Sequence, residues 1–304
     1  MFYLKKNKKR MLALCLSAAL SVGSLTVYAA TEQWNDASLT PAFTTKTAVS
    51  EHTDWADWKA NWDKIKTNYE QVALIPGSDF SKLNFGWYSK EKTDKAMVRI
   101  ADNKEMKNAK EFKGTCTEGT VINGVQYYSN KVTADGFEPN TTYYYQVKLN
   151  GKWQQAHEYK TGDPHNFSFM YVGDPQIGAS KGQVPNESAV EQSEDVAARN
   201  DAYNWNKTLN SALAQHPEIN FLVSPGDQIN EPAGNNAEKH LLQEYEYSGY
   251  LSATAFRNLP QAVAIGNHDC LTTSYQNHFN VPNPFTAETN STVAGHGYYY
   301  TYGS

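Results

Sequence analysis

Three short polar motifs each follow directly after an apolar segment that is predicted to be a strand. They read Gly-Asp, Gly-Asp and Gly-Asn-His-Asp, and they place Asp174, Asp227 and Asn267 just beyond the ends of those strands. Ligands of open α/β sheets bind beyond the carboxyl ends of the strands, so we expect these side chains to meet at one edge. Carboxylate and amide oxygens, with a nearby histidine, suit hard to borderline metal ions. The motifs therefore indicate a metal-binding cluster at this edge.

The elements that must position these motifs alternate between strand and helix. Apolar runs predict three strands, and longer segments with helical spacing predict two helices between them. This order, with short connections, predicts right-handed crossovers and a largely parallel sheet. A fourth strand is predicted at 298–302, where the chain stops, so we expect a fragment of a longer protein. The predicted strands are 167–172, 219–224 and 261–265, and the predicted helices are 191–215 and 237–256.

Short alternating segments in residues 71–163 are typical of a β-sandwich. Phe137, Pro139, Thr141 and Tyr143 stand at alternate positions before a predicted strand, and they resemble the tyrosine corner of fibronectin type III domains. We therefore predict a fibronectin III-like domain, in which Tyr143 has a structural role. Its strands are predicted at 83–88, 96–100, 126–129, 142–149 and 153–160, with a hairpin turn at Asn150-Gly151.

An aromatic stripe marks a predicted helix over residues 53–70. Five large apolar residues recur at steps of three and four, which places them on one helical face. We expect this face to dock on the neighbouring domain, and the alternative is a stripe that binds carbohydrate or the cell wall. The residues are Trp55, Trp58, Trp62, Ile65 and Tyr69.

The N-terminus has the layout of a secretory signal peptide. Five basic residues precede the apolar segment 11–27, and Val27 and Ala29 are small residues at the expected cleavage positions. We therefore predict a secreted protein, with a membrane anchor as the alternative reading. The predicted parts are a signal peptide at 1–29, an arm and amphipathic helix at 30–70, the sandwich at 71–163 and the α/β domain at 164–304.

Charge and composition exclude several classes of protein and partner. The 304 residues include 27 Lys and Arg against 32 Asp and Glu, and loss of the five basic residues in 1–29 leaves a net charge of −10. Such an acidic chain is not expected to bind nucleic acid or anionic lipid. A mean hydropathy of −0.65 argues against stable membrane insertion. Three cysteines are too few for a disulfide scaffold, and the pairing of Cys116 and Cys270 stays open.

The three motifs, in this order, resemble those of the calcineurin-like metallophosphoesterases. With the fibronectin III-like domain before them, residues 70–304 look most similar to the purple acid phosphatase branch. The resemblance implies a multi-domain fold, an all-β sandwich followed by an α/β domain of two packed mixed sheets flanked by helices, incomplete here. It also implies two divalent or trivalent metal ions (Fe, Zn, Mn or Mg). Asp174 would bind the first ion, Asp227 would bridge both and Asn267 would bind the second.

The same resemblance implies a hydrolase for small phosphorylated substrates. In such enzymes a metal-activated hydroxide attacks phosphorus in line. His268 would protonate the leaving group or bind the phosphate, and the alternative for His268 is to orient a neighbouring ligand. The leading hypothesis is a secreted, acid phosphatase-like monoesterase. The alternatives are a phosphodiesterase or nucleotidase with the same site, and a non-catalytic surface-binding protein with a degenerate phosphatase domain.

Several positions depart from the family pattern. Gln176 stands where many members have histidine, and Asn230 stands where purple acid phosphatases have a tyrosine ligand. Each is predicted either to direct an amide oxygen at a metal or phosphate, or to shape its turn. The family's further histidine ligands find no match, because His278 and His296 lack the required pattern and are predicted to be structural. We therefore expect the chain as written to bind metal weakly and to have little or no activity.

Overall fold

The computed structural model describes residues 54–184, 191–287 and 291–303. The predicted signal peptide at 1–29 and the arm up to residue 53 lie outside the described residues. Within the described part, no helix has the length and apolar character needed to cross a membrane. The helices are α1 (Trp55–Lys66), α2 (Glu194–Gln215), α3 (Ala237–Leu251) and α4 (Ser274–His278), with a 3₁₀ turn at Thr254–Arg257.

The all-β part is one curled antiparallel sheet, and the fibronectin III-like sandwich stays a prediction. Its strands are β1 (Ala73–Pro76), β2 (Lys82–Ser89), β3 (Ala96–Ala101), β4 (Lys110–Ile122), β5 (Val125–Asp135), β6 (Thr142–Leu149), β7 (Lys152–Trp153) and β8 (His157–Lys160). Their order in the sheet is β1-β2-β5-β4-β3-β6, and β7 and β8 both pair with β6. The long strand β4 pairs with β3 through residues 110–114 and with β5 through residues 115–122. Because one strand serves both halves, the sheet continues from one half to the other and encloses a shared core.

The predicted structural role of Tyr143 is confirmed. Its hydroxyl accepts the backbone N–H of Glu138 at 2.9 Å, five residues upstream, and its ring packs against Phe137. Asn150 and Gly151 both have positive φ angles and form the predicted hairpin turn between β6 and β7. This corner therefore fixes the entry into β6, and the tyrosine is not available for chemistry.

Strand β1 contributes side chains both to the core of the curled sheet and to the core of the α/β part. Successive side chains of a strand point to opposite faces. Leu74 accordingly packs in the core of the curled sheet, whereas Ala73 and Ile75 pack in the core of the α/β part. All four residues of β1 are buried, so the strand has no face in contact with solvent. The two cores are thus linked by one short segment of backbone.

The α/β part contains the predicted parallel sheet. Strands β9 (Ser168–Tyr171), β10 (Ile219–Ser224) and β11 (Gln261–Val263) pair in parallel in the order β11-β10-β9. Helix α2 connects the first two strands and α3 the next two. All three carboxyl ends therefore lie at the same edge of the sheet, where the polar motifs begin.

The predicted second packed mixed sheet is not found among the described residues. After β11 the chain forms α4 and a short hairpin of β12 (Ser291–Thr292) and β13 (Gly295–His296). The predicted strand at 298–302 is wrong, because only Tyr298 forms a bridge, with Pro284. Tyr300 and Tyr302 instead pack their rings on Phe221 of β10.

The aromatic face of α1 packs against α2. The indole N–H of Trp62 donates to an Asp195 carboxylate oxygen at 2.9 Å, and that of Trp58 donates to the Arg199 carbonyl at 3.0 Å. Trp62 is only 3% exposed, and Trp55 contacts the Tyr203 ring edge-on. The predicted docking of this face is confirmed, and the face is not an open binding stripe.

A buried acid–base pair lies where α3 and α4 meet the curled sheet. The Nε2 atom of His278 is 2.9 Å from an oxygen of Glu244, and both side chains are almost completely buried. The ring of Tyr88 from β2 lies 4.5 Å from the His278 ring, between centroids. Gly86 of β2 allows the close approach, because a Cβ there would lie 2.2 Å from the His278 carbonyl oxygen. His278 is therefore structural, as predicted, although it ends a helix rather than lying in a loop.

This pair predicts a pH dependence of stability. Burial raises the pKa of Glu244, but the charge and hydrogen bond of His278 outweigh it, so the net pKa lies below the ordinary value of 4.5. A carboxyl with a lowered folded-state pKa stabilises the fold above pH 4.5, and this contribution is lost as the pH falls through the folded-state value. Urea unfolding between about pH 5 and pH 3.5 should show a steeper loss of stability in the wild type than in Glu244→Gln. Exposed Glu111, changed to Gln, is the control and should keep the wild-type slope. Equal slopes in Glu244→Gln and the wild type would contradict the assignment.

Candidate functional site

The three motif turns meet at the carboxyl edge of the parallel sheet. The backbone N–H of Asp174 donates to the Gly226 carbonyl at 3.1 Å, and that of Gln176 donates to the Asp227 carbonyl at 3.0 Å. The third turn joins them, because the backbone N–H of His268 donates to Oδ1 of Asp227 at 2.9 Å. The predicted convergence of the motifs therefore occurs, and Asp227 lies at its centre.

Two glycines allow these turns to approach so closely. A Cβ on Gly266 would lie 1.9 Å from Oδ1 of Asp227 and 2.2 Å from its backbone nitrogen. Gly226 has a φ of +129°, and a Cβ there would lie 2.8 Å from the Cα atom of Gly266. Larger residues at these positions would separate the second and third turns.

The turns also hold non-glycine residues in the left-handed backbone region. The φ angles are +59° for Asp174, +33° for Gln176 and +51° for Asp227. Apart from Met106, the other such residues in the described ranges are asparagines, which tolerate this region well. Residues kept in sparsely populated backbone regions cluster at functional sites, because the surrounding structure must enforce them. The strain therefore supports a functional role for the first two turns.

Hydrogen bonds orient the Asp227 carboxylate from both sides. Oδ1 accepts the His268 N–H, and Oδ2 accepts the side-chain amide of Gln176 at 3.3 Å. Gln176 thus presents its nitrogen to Asp227 in this arrangement, rather than the amide oxygen that would bind a metal. Asp174 and Asn267 are exposed at the same edge, while Asp227 is half-buried. The carboxylates and the Asn267 amide are accessible to a ligand from solvent.

The imidazole of His268 is held by the backbone of the second turn. Its Nδ1 atom is hydrogen-bonded to the carbonyl oxygen of Asn230. A carbonyl can only accept, so Nδ1 carries the proton and Nε2 is the ring atom left for other chemistry. Asn230 therefore contributes its main chain to the site, and its predicted side-chain contact with a metal or phosphate stays a prediction.

Buried carboxyl groups behind the turns are further functional candidates, and the sequence motifs predict no role for them. Asp269 accepts the backbone N–H of Gly266 at 3.0 Å and of Gln228 at 3.4 Å, and the Tyr247 hydroxyl donates to it at 2.7 Å. Burial raises the pKa of Asp269 to about 6, with these hydrogen bonds opposing the shift. Two helix residues, Asp201 and Glu246, hold the loops that follow the first and second motifs. The sequence signal for Asp201 and Glu246 is an acidic residue at a helix position that faces the core, whereas Asp269 belongs to the third motif.

The donor set suits a hard cation but does not complete a two-metal centre. Asp174, Asp227 and Asn267 offer carboxylate and amide oxygens, the ligands that hard divalent ions prefer. In the part of the chain that the structure describes, no three His, Cys, Asp or Glu side chains are grouped to hold a metal ion. His296 and Asn267 line the same cavity, which has a volume of about 600 Å³. Cys116 and Cys270 are both free thiols.

The contact between Gly266 and Asp227 predicts a specific effect of one methyl group. Gly266→Ala must displace Asp227, because the clash involves backbone as well as the carboxylate. We expect a loss of Mn²⁺ affinity of about 10-fold or more by titration calorimetry, and a loss of stability of about 1–3 kcal/mol in urea.

Gly297→Ala is the matched control for this experiment. A Cβ on Gly297 would have its nearest neighbour at 3.8 Å, an ordinary contact with the Phe285 ring. The control should therefore keep wild-type affinity and stability. Unchanged Mn²⁺ binding in Gly266→Ala would show that the packing of the second and third turns does not determine the site.

Comparison with known protein families finds a match to the all-β part. Residues 69–161 match the family described as purple acid phosphatase, N-terminal domain, close to the predicted boundaries of 71–163. No curated protein matches the chain.

Two solved structures align with larger parts of the chain at low similarity. Purple acid phosphatase PPD1 from yellow lupin (Lupinus luteus) seeds is 14% identical over 73% of this chain and 37% of its own, with a TM-score of 0.43. A structure described as PhoD is 16% identical over 67% of this chain and 40% of its own, with a TM-score of 0.40. The chain thus spans no more than about two-fifths of the length of either structure. Residues 69–161 therefore resemble the purple acid phosphatase N-terminal domain, as predicted for this part of the chain, and the three motifs lie outside the matched residues.

Proposed function

We propose that this protein is a secreted, metal-dependent phosphoesterase that hydrolyses small phosphate monoesters. Its fold would be a fibronectin III-like domain followed by a calcineurin-like α/β domain, with two metal ions in the complete site. The observation that carries the proposal is the packing of three motif turns around the Asp227 carboxylate. The match of residues 69–161 to the purple acid phosphatase N-terminal domain supports the same proposal.

The residues that would hold metal are Asp174, Asp227 and Asn267. Their turns lie at one sheet edge with Asp227 at the centre, and they would offer carboxylate and amide oxygens to the metal. A bound divalent ion supplies charge that polarises the phosphoryl group and makes a bound water acidic enough to act as a nucleophile. The remaining chemistry concerns how the chain holds the ligands and where it can deliver a proton.

The chain's own contribution is orientation and proton transfer. The N–H of His268 and the amide of Gln176 hold both oxygens of Asp227, so the carboxylate meets a ligand without reorganisation. The bond from Nδ1 of His268 to Asn230 leaves Nε2 to hydrogen-bond a phosphate oxygen or, in the protonated ring, to donate a proton to the leaving group. His268 is half-buried, which allows this contact with a substrate.

The protein is acidic overall, so an anionic substrate would be attracted by charges within the site and not by the net charge of the protein. With 32 acidic residues against 27 basic ones, the overall field repels phosphate, so its binding depends on charge within the site. The alternative of wall binding through the Trp stripe gains no support, because α1 packs that face against α2. The phosphodiesterase alternative uses the same residues and is separated from the proposal by substrate choice.

Removal of the central charge tests the proposal. Because weak metal binding is expected, the assay uses saturating Mn²⁺ or Zn²⁺; p-nitrophenyl phosphate should be hydrolysed slowly, and Asp227→Asn should lower kcat by about 10²-fold or more. Asp163→Asn is the matched control, because Asp163 also follows a glycine but lies away from the motif edge, in a turn where it bonds the His165 N–H. Undiminished activity in Asp227→Asn would refute the mechanism. Faster hydrolysis of bis-p-nitrophenyl phosphate would favour the phosphodiesterase alternative.

A further inference from the structure

A buried glutamate on α3 lies directly behind the second motif turn. Glu246 is only 1% exposed, and its Oε2 atom accepts the backbone N–H groups of Asn230 at 2.9 Å and Glu231 at 2.7 Å. A carboxyl group in the interior costs free energy unless it is hydrogen-bonded, and bonds to a charged acceptor are the stronger kind. The two N–H groups give this side chain a defined partner, the backbone of the motif turn.

One peptide group connects this glutamate to His268. The carbonyl of Asn230 and the N–H of Glu231 belong to the same planar peptide and point in opposite directions. The Asn230 carbonyl accepts a hydrogen bond from Nδ1–H of His268, while the Glu231 N–H donates to Oε2 of Glu246. Hydrogen bonds that are connected through one peptide group polarise each other, so the bond at one end strengthens the bond at the other. The same peptide group is thus held by Glu246 on one side and holds the imidazole on the other.

The same carboxyl group also contacts the loop after the first motif. A Cβ on Gly178 would lie 2.2 Å from Oε1 of Glu246, so the loop backbone packs directly on this oxygen. The N–H of Gly178 is held separately by Asp201 of α2, at 3.0 Å. Glu246 is therefore in contact with the loops of two motifs at once.

We propose that Glu246 is a positioning residue that fixes the tautomer and orientation of the His268 imidazole through the peptide between Asn230 and Glu231. The catalytic consequence rests on the proposed function, but the structural link does not. Burial, together with the charges of Glu231 and Asp201, raises the pKa of Glu246 well above its ordinary value. A neutral carboxyl still offers its carbonyl oxygen to both N–H groups, so the link needs an acceptor oxygen rather than a charge.

The direct test observes the His268 ring itself. Ring ¹⁵N–¹H spectra of protein labelled on histidine, at a single pH, report which nitrogen carries the proton, and His268→Ala identifies the signal. The wild type should show a proton fixed on Nδ1, as should Glu246→Gln, which keeps an acceptor oxygen. Glu246→Ala should lose this single tautomer. If Glu246→Ala does not fold, Glu246→Asp withdraws the oxygen by one methylene and should show the same loss.

Glu244→Ala is the matched control. Glu244 lies on the same helix and is equally buried, but its partner is His278 at the other interface. This variant should keep the His268 tautomer even where it lowers stability. A fixed Nδ1 proton in both Glu246→Ala and Glu246→Asp would overturn the proposal, as would its loss in Glu244→Ala.

Kinetics provide a second readout. Glu246→Ala should lower kcat for p-nitrophenyl phosphate by about 10-fold or more with little change in KM. The double variant Glu246→Ala/His268→Ala should be no slower than His268→Ala alone, because both changes remove the same function. Multiplicative losses would contradict a role through His268. If the wild type has no activity, the proposed function fails, while the tautomer measurement still decides the role of Glu246.

Discussion

The close contact between Gly266 and the Asp227 carboxylate is the constraint on which the site depends. Neighbouring parallel strands lie about 4.8 Å apart, so three turns at their ends share a small volume. A side chain on Gly266 would overlap Asp227, and one on Gly226 would overlap Gly266. The glycines let the backbones meet, and the N–H of His268 then reaches the carboxylate. The close packing of the backbones thus brings the polar groups of the three turns together.

Support for these turns comes from behind the sheet edge. Asp269 bonds the backbones of the second and third turns, and Glu246 and Asp201 bond the loops that follow the second and first. The helices that carry Glu246 and Asp201 are held in turn by other elements. Helix α1 packs on α2, and the pair of Glu244 and His278 joins α3 and α4 beside the curled sheet. The curled sheet thus borders the helices that support the candidate site.

Much of this arrangement could be predicted from local sequence patterns. Strand–turn–helix alternation located the parallel strands, and β6 and β10 have the predicted bounds, because apolar or alternating runs end at turn residues. Strand β4 was missed because most of its 13 residues are exposed or half-buried, so it shows little apolar alternation. The strand at 298–302 was predicted from tyrosines that pack on Phe221 instead of entering a ladder. The buried acids were missed because helical periodicity marks core positions by apolar residues, and a glutamate there breaks the pattern.

The most direct test of the account is the location of a metal ion. Crystals soaked in Mn²⁺ and measured for anomalous scattering would show where the ion binds and which atoms coordinate it. The account predicts a Mn²⁺ at the carboxyl edge of β9, β10 and β11, with oxygens of Asp174, Asp227 and Asn267 among its ligands. A Mn²⁺ bound only elsewhere, or no peak at this edge at saturating concentration, would contradict it.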